Sequence, residues 1–127
     1  MITTRRARVF ASTQPTDLRK SFDTLAHLVR SVLGQDPLSG DYFLFVNERC
    51  TRAKVLLWDG TGLCIYQKRL EKGRFAAPWE RSDDGAVIMT SSELALFLEG
   101  SRLVFVAPLS PEEVEPKRVA TRELLVR

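Results

Sequence analysis

Three short apolar runs between residues 42 and 70 constrain the fold more than any other feature of this sequence. The runs YFLFVN, AKVLLWD and LCIYQKRL are separated by the polar breaks ERCTR and GTG. Short runs rich in β-branched and aromatic residues and bounded by turn residues are typical of β-strands. We therefore predict three strands that follow one another in an antiparallel meander. The first run is apolar almost throughout, which indicates a strand covered on both faces and packed under a helix.

The segment DGTG at residues 59–62 predicts how the last two of these strands face each other. Asp59 and Gly62 fit the first and fourth positions of a type I turn, with Gly62 in the left-handed conformation of a bulged three-residue loop. In this register Trp58 lies opposite Cys64, and successive side chains alternate between the two faces of the hairpin.

This register divides the hairpin into an apolar face and a mixed face. The apolar face consists of Val55, Leu57, Leu63 and Ile65, and the mixed face of Lys54, Leu56, Trp58, Tyr66 and Lys68. Aromatic rings beside lysines are typical of surfaces that stack on bases along a phosphate chain, and an anion would relieve repulsion between the opposed Lys54 and Lys68. Alternatively, the aromatic side chains cover a second core layer and the lysines extend into water. A register shifted by one residue would abolish the division.

An amphipathic helix is predicted between residues 16 and 34. Its apolar side chains recur at spacings of four and three residues: Leu18, Phe22, Leu25, Val29 and Val32. Thr16 or Asp17 is its expected cap, and Gly34 is its expected end.

Two cations occupy an unfavourable place in this predicted helix. Arg19 and Lys20 fall in its first turn, where the helix dipole disfavours positive charge by a few tenths of a kcal/mol each. An ion pair between Arg19 and Asp23, four residues further on, would explain one of them. Anion binding by both cations is the alternative, because local rules tend to be broken at functional positions.

The remaining sequence predicts two further strands and a second helix. The segments RARVFA at residues 6–11 and AVIM at residues 86–89 have strand character. Thr90 and Glu93 have the spacing of a capping box, which begins a helix that ends at Gly100. RLVFVAPL is either strand-like or an extended covering segment. The predicted fold class is therefore α+β, with a small antiparallel β-meander sheet packed with one longer N-terminal helix and one shorter C-terminal helix.

The chain of 127 residues has the length of one domain, which we place at residues 1–109. Residues 110–127 form a charged tail interrupted by Pro116, and this tail is either disordered or a partner-binding helix. No apolar run is long enough to span a bilayer, and none follows the N-terminal arginines as a signal peptide would require. We therefore expect no membrane partner and a cytoplasmic or nucleoid-associated location.

No catalytic or metal-binding pattern stands out. Cys50 and Cys64 lack C-x-x-C spacing and are expected to be free thiols, and His27 is the single histidine. The scattered aspartates fit caps, turns and loops. We expect a protein that is not an enzyme, with no catalytic residue, no metal site and no cofactor.

Basic residues are concentrated in the first part of the chain. Residues 1–79 have a net charge of +6 and residues 80–127 a net charge of −3, and residues 49–74 contain seven basic and two acidic residues. This density favours a polyanionic partner, although any single exposed cation is ordinary. The candidate DNA-binding residues are Arg19, Lys20, Arg49, Arg52, Lys54, Trp58, Tyr66, Lys68, Arg69, Lys72 and Arg74.

Several segments occur in an order known from one protein family. They are PTDLRKSFDTLAHLV, GQDPLSG, FLFVN, KVLLWDGTGLCIYQKRLEKGRF and the LEG that closes the second predicted helix. Over residues 6–105 the sequence resembles TnpB, the accessory protein of bacterial insertion sequences of the insertion-sequence-sixty-six family, which is unrelated to the RNA-guided nuclease of the same name. It departs from the family pattern at Ser21 and Thr24, where glycine is usual, and at Ala77, where an aromatic residue is usual.

The resemblance implies a small protein encoded beside a DDE-type transposase and needed, with it and a further accessory protein, for efficient transposition. Its partners would be the transposase, that accessory protein and DNA at the transposon ends. We expect a factor that binds DNA through a basic and aromatic surface built from the hairpin and the start of the first helix. The alternative is an adaptor that docks on the transposase through Trp58, Tyr66 and the tail without contacting DNA.

Overall fold

The computed structural model describes residues 7–81 and 85–104 of the chain. Its elements are β1 (Val9–Ser12), α1 (Phe22–Ser31), β2 (Tyr42–Val46), β3 (Arg52–Trp58), β4 (Leu63–Arg69), a 3-10 turn (Pro78–Glu80), β5 (Ala86–Met89) and α2 (Ser91–Leu98). The five strands form one sheet in the order β4-β3-β2-β1-β5. The fold is therefore α+β, with a five-stranded sheet and two helices.

The sheet is mixed, not antiparallel throughout as the sequence predicted. Strands β1 and β2 run parallel, with Phe10 beside Phe43, and every other neighbouring pair is antiparallel. Parallel neighbours need a crossover connection, which the segment containing α1 supplies. A crossover depends on contacts that are distant in sequence, so the apolar pattern of the strands alone did not indicate it.

Both faces of the sheet are covered, and β2 lies at the centre of the core. Phe43 and Phe45 point towards α1, where they pack with Leu25, Val29 and Leu56. Leu44 and Val46 point to the opposite face, beneath α2 and the segment at residues 75–77. The prediction that this strand is buried on both faces under a helix is confirmed.

Helix α2 begins and ends as the sequence predicted. The Thr90 hydroxyl accepts from the Glu93 backbone N–H at 3.0 Å, and the Glu93 carboxylate accepts from the Thr90 N–H at 2.8 Å. The helix ends before Gly100, which has a φ of 89°. Phe97 is buried and stacks on Phe75, with ring centroids 4.9 Å apart. The capping box thus fixes the start of a helix whose apolar face closes one side of the core.

Helix α1 begins later than its periodicity predicted. It starts at Phe22, so Arg19 and Lys20 lie before the helix and the prediction that they oppose its dipole is wrong. The Asp17 carboxylate accepts from the Arg19 backbone N–H at 3.0 Å and from its guanidinium at 2.8 Å, so the partner of Arg19 is Asp17, not Asp23. An aspartate that binds the backbone two residues on favours a turn over a helix.

The late start also changes which side chains form the apolar face of α1. Leu25, Ala26 and Val29 are buried as expected of an amphipathic helix. Leu18 lies outside the helix and is half-buried, and the Phe22 side chain is 44% exposed.

The hairpin register differs by one residue from the predicted one. Trp58 lies opposite Leu63 and Leu57 opposite Cys64, so the connecting loop has four residues. Such a shift moves every side chain of one strand to the other face, and the predicted apolar and mixed faces are therefore wrong. The side towards α1, here the α1 side, carries Arg52, Lys54, Leu56, Trp58, Leu63, Ile65, Gln67 and Arg69. The opposite side, here the α2 side, carries Ala53, Val55, Leu57, Cys64, Tyr66 and Lys68.

The loop chemistry explains the shift. Asp59 Oδ1 accepts hydrogen bonds from the backbone N–H groups of Thr61 and Gly62 at 2.9 and 3.0 Å. The left-handed residue is Gly60, with a φ of 106°, and not Gly62 as predicted. The carboxylate thus takes two N–H groups of the turn, and Asp59 becomes a loop residue instead of the last residue of β3.

Part of the predicted chain lies outside the described residues. This holds for residues 1–6, 82–84 and 105–127, and so for the tail and for most of the extended segment RLVFVAPL; Val104 is buried against the core. Within the described ranges, Cys50 and Cys64 are free thiols. Within these ranges, no helix has the combination of length and apolar character needed to cross a membrane.

Candidate nucleic-acid interface

Two adjoining depressions, with volumes of about 350 and 420 Å³, open where the loop at residues 15–20 passes the start of β3. Leu18 and Arg52 line both of them, so the two form one surface, which we call the basic cleft. Its basic lining residues are Arg19, Arg49, Arg52, Lys54, Lys68 and Arg69, and its acidic residues are Asp17, Glu48 and Glu71. The structure thus brings together six of the candidate residues.

The turn between β2 and β3 holds two of these arginines. Asn47 Oδ1 accepts from the backbone N–H groups of Thr51 and Arg52 at 2.9 and 3.0 Å, and its amide nitrogen donates to Thr51 Oγ1 at 3.1 Å. Cys50 closes the turn with a φ of 59°. Arg49 and Arg52 therefore project from a backbone that Asn47 fixes, although Asn47 itself was not among the predicted site residues.

The opposite wall of the cleft is tied to the sheet by two long-range hydrogen bonds. The Thr16 backbone N–H donates to the Val46 carbonyl at 2.9 Å, and Lys54 Nζ donates to the Lys20 carbonyl at 2.8 Å. The ammonium group of Lys54 therefore binds the loop, and Leu18 packs between the loop and the strands. This anchoring places Arg19 beside the β2–β3 turn.

Two like charges face each other across the hairpin. Arg52 lies directly opposite Arg69 in the β3–β4 ladder. Opposed like charges destabilise a strand pair by some tenths of a kcal/mol. Arg69 has an exposed ion pair with Glu71 at 3.3 Å, which offsets only part of this repulsion. Within residues 7–81 and 85–104, neither Arg49 nor Arg52 has an acidic partner for its guanidinium.

Three predicted cations, Lys20, Lys72 and Arg74, do not line the basic cleft, and a fourth, Lys68, lines it but has its ammonium group bound elsewhere. Lys68 Nζ donates to the Leu98 carbonyl at 2.8 Å, so it stabilises the C-terminal end of α2. Lys20 lines a smaller depression of about 120 Å³ beside α1, which adjoins the cleft at Pro15, Thr16 and Asp17. Lys72 and Arg74 lie on the loop after β4 and do not line the cleft.

The loop after β4 runs beside the buried thiol of Cys50. The Phe75 backbone N–H donates to the Cys50 carbonyl at 2.7 Å. Burial raises the pKa of the Cys50 thiol and Glu80 raises it further, whereas Arg102 and Arg74 lower it. Arg74 thus contributes to the surroundings of this thiol, although it does not line the cleft.

The two predicted aromatic residues lie on opposite sides of the hairpin. Trp58 is on the α1 side, at the far end of β3 from Arg52, and Tyr66 is on the α2 side, where it is 50% exposed. Among the described residues that line the basic cleft, none is aromatic. The predicted grouping of both aromatic residues with Lys54 and Lys68 on one face is therefore wrong: Trp58 shares its side with Lys54, and Tyr66 shares the other side with Lys68.

Two acidic side chains near the cleft and the hairpin, those of Asp17 and Asp59, have structural partners. Hydrogen bonds from Thr61 and Gly62 lower the pKa of Asp59 to about 2. Hydrogen bonds from Arg19 hold the pKa of Asp17 well below its usual range. In the part of the chain that the structure describes, no three His, Cys, Asp or Glu side chains gather into a group that could hold a metal ion.

Comparison with known proteins places this chain in a family. It is similar to two proteins of Sinorhizobium fredii, Uncharacterized protein y4jC and Uncharacterized protein y4hO, with 40% and 36% identity over 96 residues. These matches cover 76% of this chain and 80% and 82% of the two relatives. No solved structure matches the chain. The family model described as IS66 Orf2 like protein matches residues 7–106, and the chain therefore belongs to the family of IS66 Orf2 like proteins.

Proposed function

We propose that this protein is a transposition accessory factor that acts with a DDE-type transposase and binds DNA through the basic cleft, without catalysing a reaction itself. Membership in the IS66 Orf2 like family supports the role in transposition. The charges of the cleft support the binding of DNA. Such a protein works in the cytoplasm, at the DNA that carries the element.

The observation that carries the proposal is the pair of opposed arginines. Arg52 faces Arg69 across the ladder, and Arg49 lies on the adjoining turn. Arg49 and Arg52 have no acidic partner among the described residues, so their charges stabilise no contact within that part of the fold. A bound polyanion would relieve the cross-strand repulsion and use both free guanidinium groups.

Binding by these arginines has a defined salt dependence. Each phosphate neutralised by a protein cation releases condensed counterions, so the logarithm of the association constant falls linearly with the logarithm of the salt concentration. The slope is about −0.9 per phosphate contact on duplex DNA. Removing two contacts should therefore make this negative slope shallower by about 2.

Fluorescence anisotropy with a short labelled duplex between about 50 and 200 mM salt tests the proposal. We expect Arg49→Ala with Arg52→Ala to weaken binding and flatten the slope. The matched control is Lys72→Ala with Arg74→Ala, which removes the same charge from the loop outside the cleft. Equal losses in both double variants, or no binding by folded wild-type protein at low salt, would contradict the proposal.

An adaptor without DNA contact is the second candidate function. It is favoured by the position of Tyr66, which is half exposed on the edge strand β4. Exposed aromatic side chains often anchor protein interfaces. A pull-down of the transposase from nuclease-treated extract tests this role. Retention by wild-type protein and loss in the Tyr66→Ala or Trp58→Ala variant would favour the adaptor.

A further inference from the structure

We infer that the basic cleft recognises the phosphodiester backbone of duplex DNA, independently of base sequence, and does not stack on the bases of a single strand. This inference rests on the proposed function and narrows its ligand. It depends on which side chains line the cleft and on where the hairpin register places the aromatic residues.

The aromatic side chains that could reach solvent near the hairpin and the start of α1 lie away from the cleft. Arg52 and Trp58 are six residues apart along β3, which is about 20 Å at the rise of an extended strand. Tyr66 projects from the opposite side of the hairpin. Phe22, at the start of α1, is 44% exposed but does not line the cleft either.

Single-stranded nucleic acid is usually held by a combination that this surface lacks. Proteins that bind single strands place aromatic rings beside a basic groove, and each stacked base contributes about 1–3 kcal/mol. The described lining of the cleft offers Leu18, Ala53 and Pro15 as its apolar groups, and none of these has an aromatic ring. This described lining therefore lacks the aromatic stacking that usually holds unpaired bases.

Duplex DNA suits what the cleft does contain. Its charged donors can contact phosphate oxygens, and such contacts position a protein on the duplex without reading its sequence. The duplex also has the higher charge density, so each contact releases more counterion than on a single strand. The salt dependence of the logarithm of the association constant is accordingly about −0.9 per phosphate for duplex DNA and about −0.7 for a single strand. The backbone that carries Arg49 and Arg52 needs little ordering on binding, because Asn47 already holds their turn.

Competition binding with the full chain tests the inference. The probes are two duplexes of equal length and unrelated sequence, and one of their single strands. We expect the two duplexes to bind within about twofold of each other and the single strand to bind about tenfold more weakly. Tyr66→Ala and Phe22→Ala should leave all three affinities within about twofold.

Tryptophan fluorescence gives a second readout that does not depend on truncating Trp58. The chain contains two tryptophans, so Trp79→Phe leaves Trp58 as the sole emitter. We expect its emission to stay unchanged when the single strand is added, because the ring lies away from the cleft. Quenching on addition of the single strand would show stacking.

Two outcomes separate this inference from the proposed function. Tighter binding of the single strand, with quenching of Trp58 or loss of affinity in an aromatic variant, would overturn the inference and leave DNA binding intact. Marked preference for one duplex sequence would also overturn it. If neither duplex nor single strand binds, the proposed function fails and the inference fails with it.

Discussion

On the α2 side of the β3–β4 hairpin, Lys68 donates to the Leu98 carbonyl at 2.8 Å, whereas on the α1 side Arg52 lies directly opposite Arg69. The first cation satisfies a carbonyl at the end of α2 and interacts favourably with the helix dipole. The second is repelled by its neighbour and has no acidic partner in the described chain. Of these two cations in the same hairpin, Lys68 therefore stabilises the fold and Arg52 destabilises the strand pair.

This difference separates structural charges from candidate functional ones. Removing a cation that the protein holds costs stability, and we expect little loss when the removed cation has no acidic partner among the described residues. Lys54 belongs with Lys68 in this respect, because its ammonium group binds the Lys20 carbonyl. The density of basic residues in the sequence could not make this distinction, since it counts both kinds equally.

The largest expected effect concerns the difference in burial between the two sides of β3. Leu56 is fully buried on the α1 side, while Leu57 is half-buried on the α2 side. We expect Leu56→Ala to lower the free energy of unfolding by about 3 kcal/mol, because it leaves a cavity beneath α1. Leu57→Ala should cost clearly less. Urea unfolding of both variants checks this order, and a greater loss for Leu57→Ala would show that the α2 side of β3 is the more deeply buried one.

A smaller loss is expected when the turn beneath the basic cleft is loosened. Asn47→Ala removes the acceptor of two backbone N–H groups and one side-chain donor. We expect a loss of about 1–2 kcal/mol in the free energy of unfolding. Asn47→Asp keeps the acceptor oxygen and should lose less, which makes it the matched control in the same urea experiment. Identical stability of wild type and Asn47→Ala would show that the turn does not depend on this side chain.

The comparison between the two sides is tested directly by replacing each cation with an uncharged residue of similar length. We expect Lys68→Met to lower the free energy of unfolding by about 1 kcal/mol, because the end of α2 loses a charged donor. Arg52→Met should leave it unchanged or raise it by some tenths of a kcal/mol, because cross-strand repulsion disappears. Thermal unfolding at low salt checks both changes. Equal destabilisation by the two substitutions would remove the distinction between structural and free cations.

Local sequence signals predicted those parts of the fold that depend on neighbouring residues. The capping box of Thr90 and Glu93 placed α2 correctly because its hydrogen bonds join residues three apart. The start of α1 was wrong for a related reason: the periodicity extended the helix back to Leu18, but the bonds of Asp17 to Arg19 form a turn there. The apolar spacing favoured a helix at Leu18, but the hydrogen bonds of Asp17 stabilise a turn there, so the helix starts only at Phe22.

The predicted hairpin register was wrong by only one residue, but this difference changed which side chains share a surface. Whether Gly60 or Gly62 becomes left-handed decides the loop length, and both choices are open to glycine. One residue of loop length then exchanged the faces of β4 and separated Tyr66 from Arg52 and Lys54. The cluster of arginines was still predictable in part, because Arg49 and Arg52 belong to the same short turn.

The smallest effect is expected at the hairpin tip, which belongs to neither side. Asp59 has a pKa of about 2 because its carboxylate accepts hydrogen bonds from Thr61 and Gly62. A folded-state pKa below the unfolded value means that this contribution to stability is present above about pH 4 and is lost as the pH falls through about 2. Asp59→Asn keeps an oxygen acceptor for the same N–H groups, so it should retain most of the stability at neutral pH and lose the acid dependence. Asp59→Ala should lose both the stability at neutral pH and its dependence on acid.

Thermal unfolding of these two variants and the wild type at pH 7 and at about pH 3 tests the role of Asp59. A turn role predicts that the difference between wild type and Asp59→Asn narrows at the lower pH, where the carboxylate begins to protonate. It also predicts that DNA affinity is the same in wild type and Asp59→Asn, because Asp59 does not line the basic cleft. Metal-dependent cleavage of DNA by wild-type protein that disappears in Asp59→Asn would instead assign the carboxylate to catalysis.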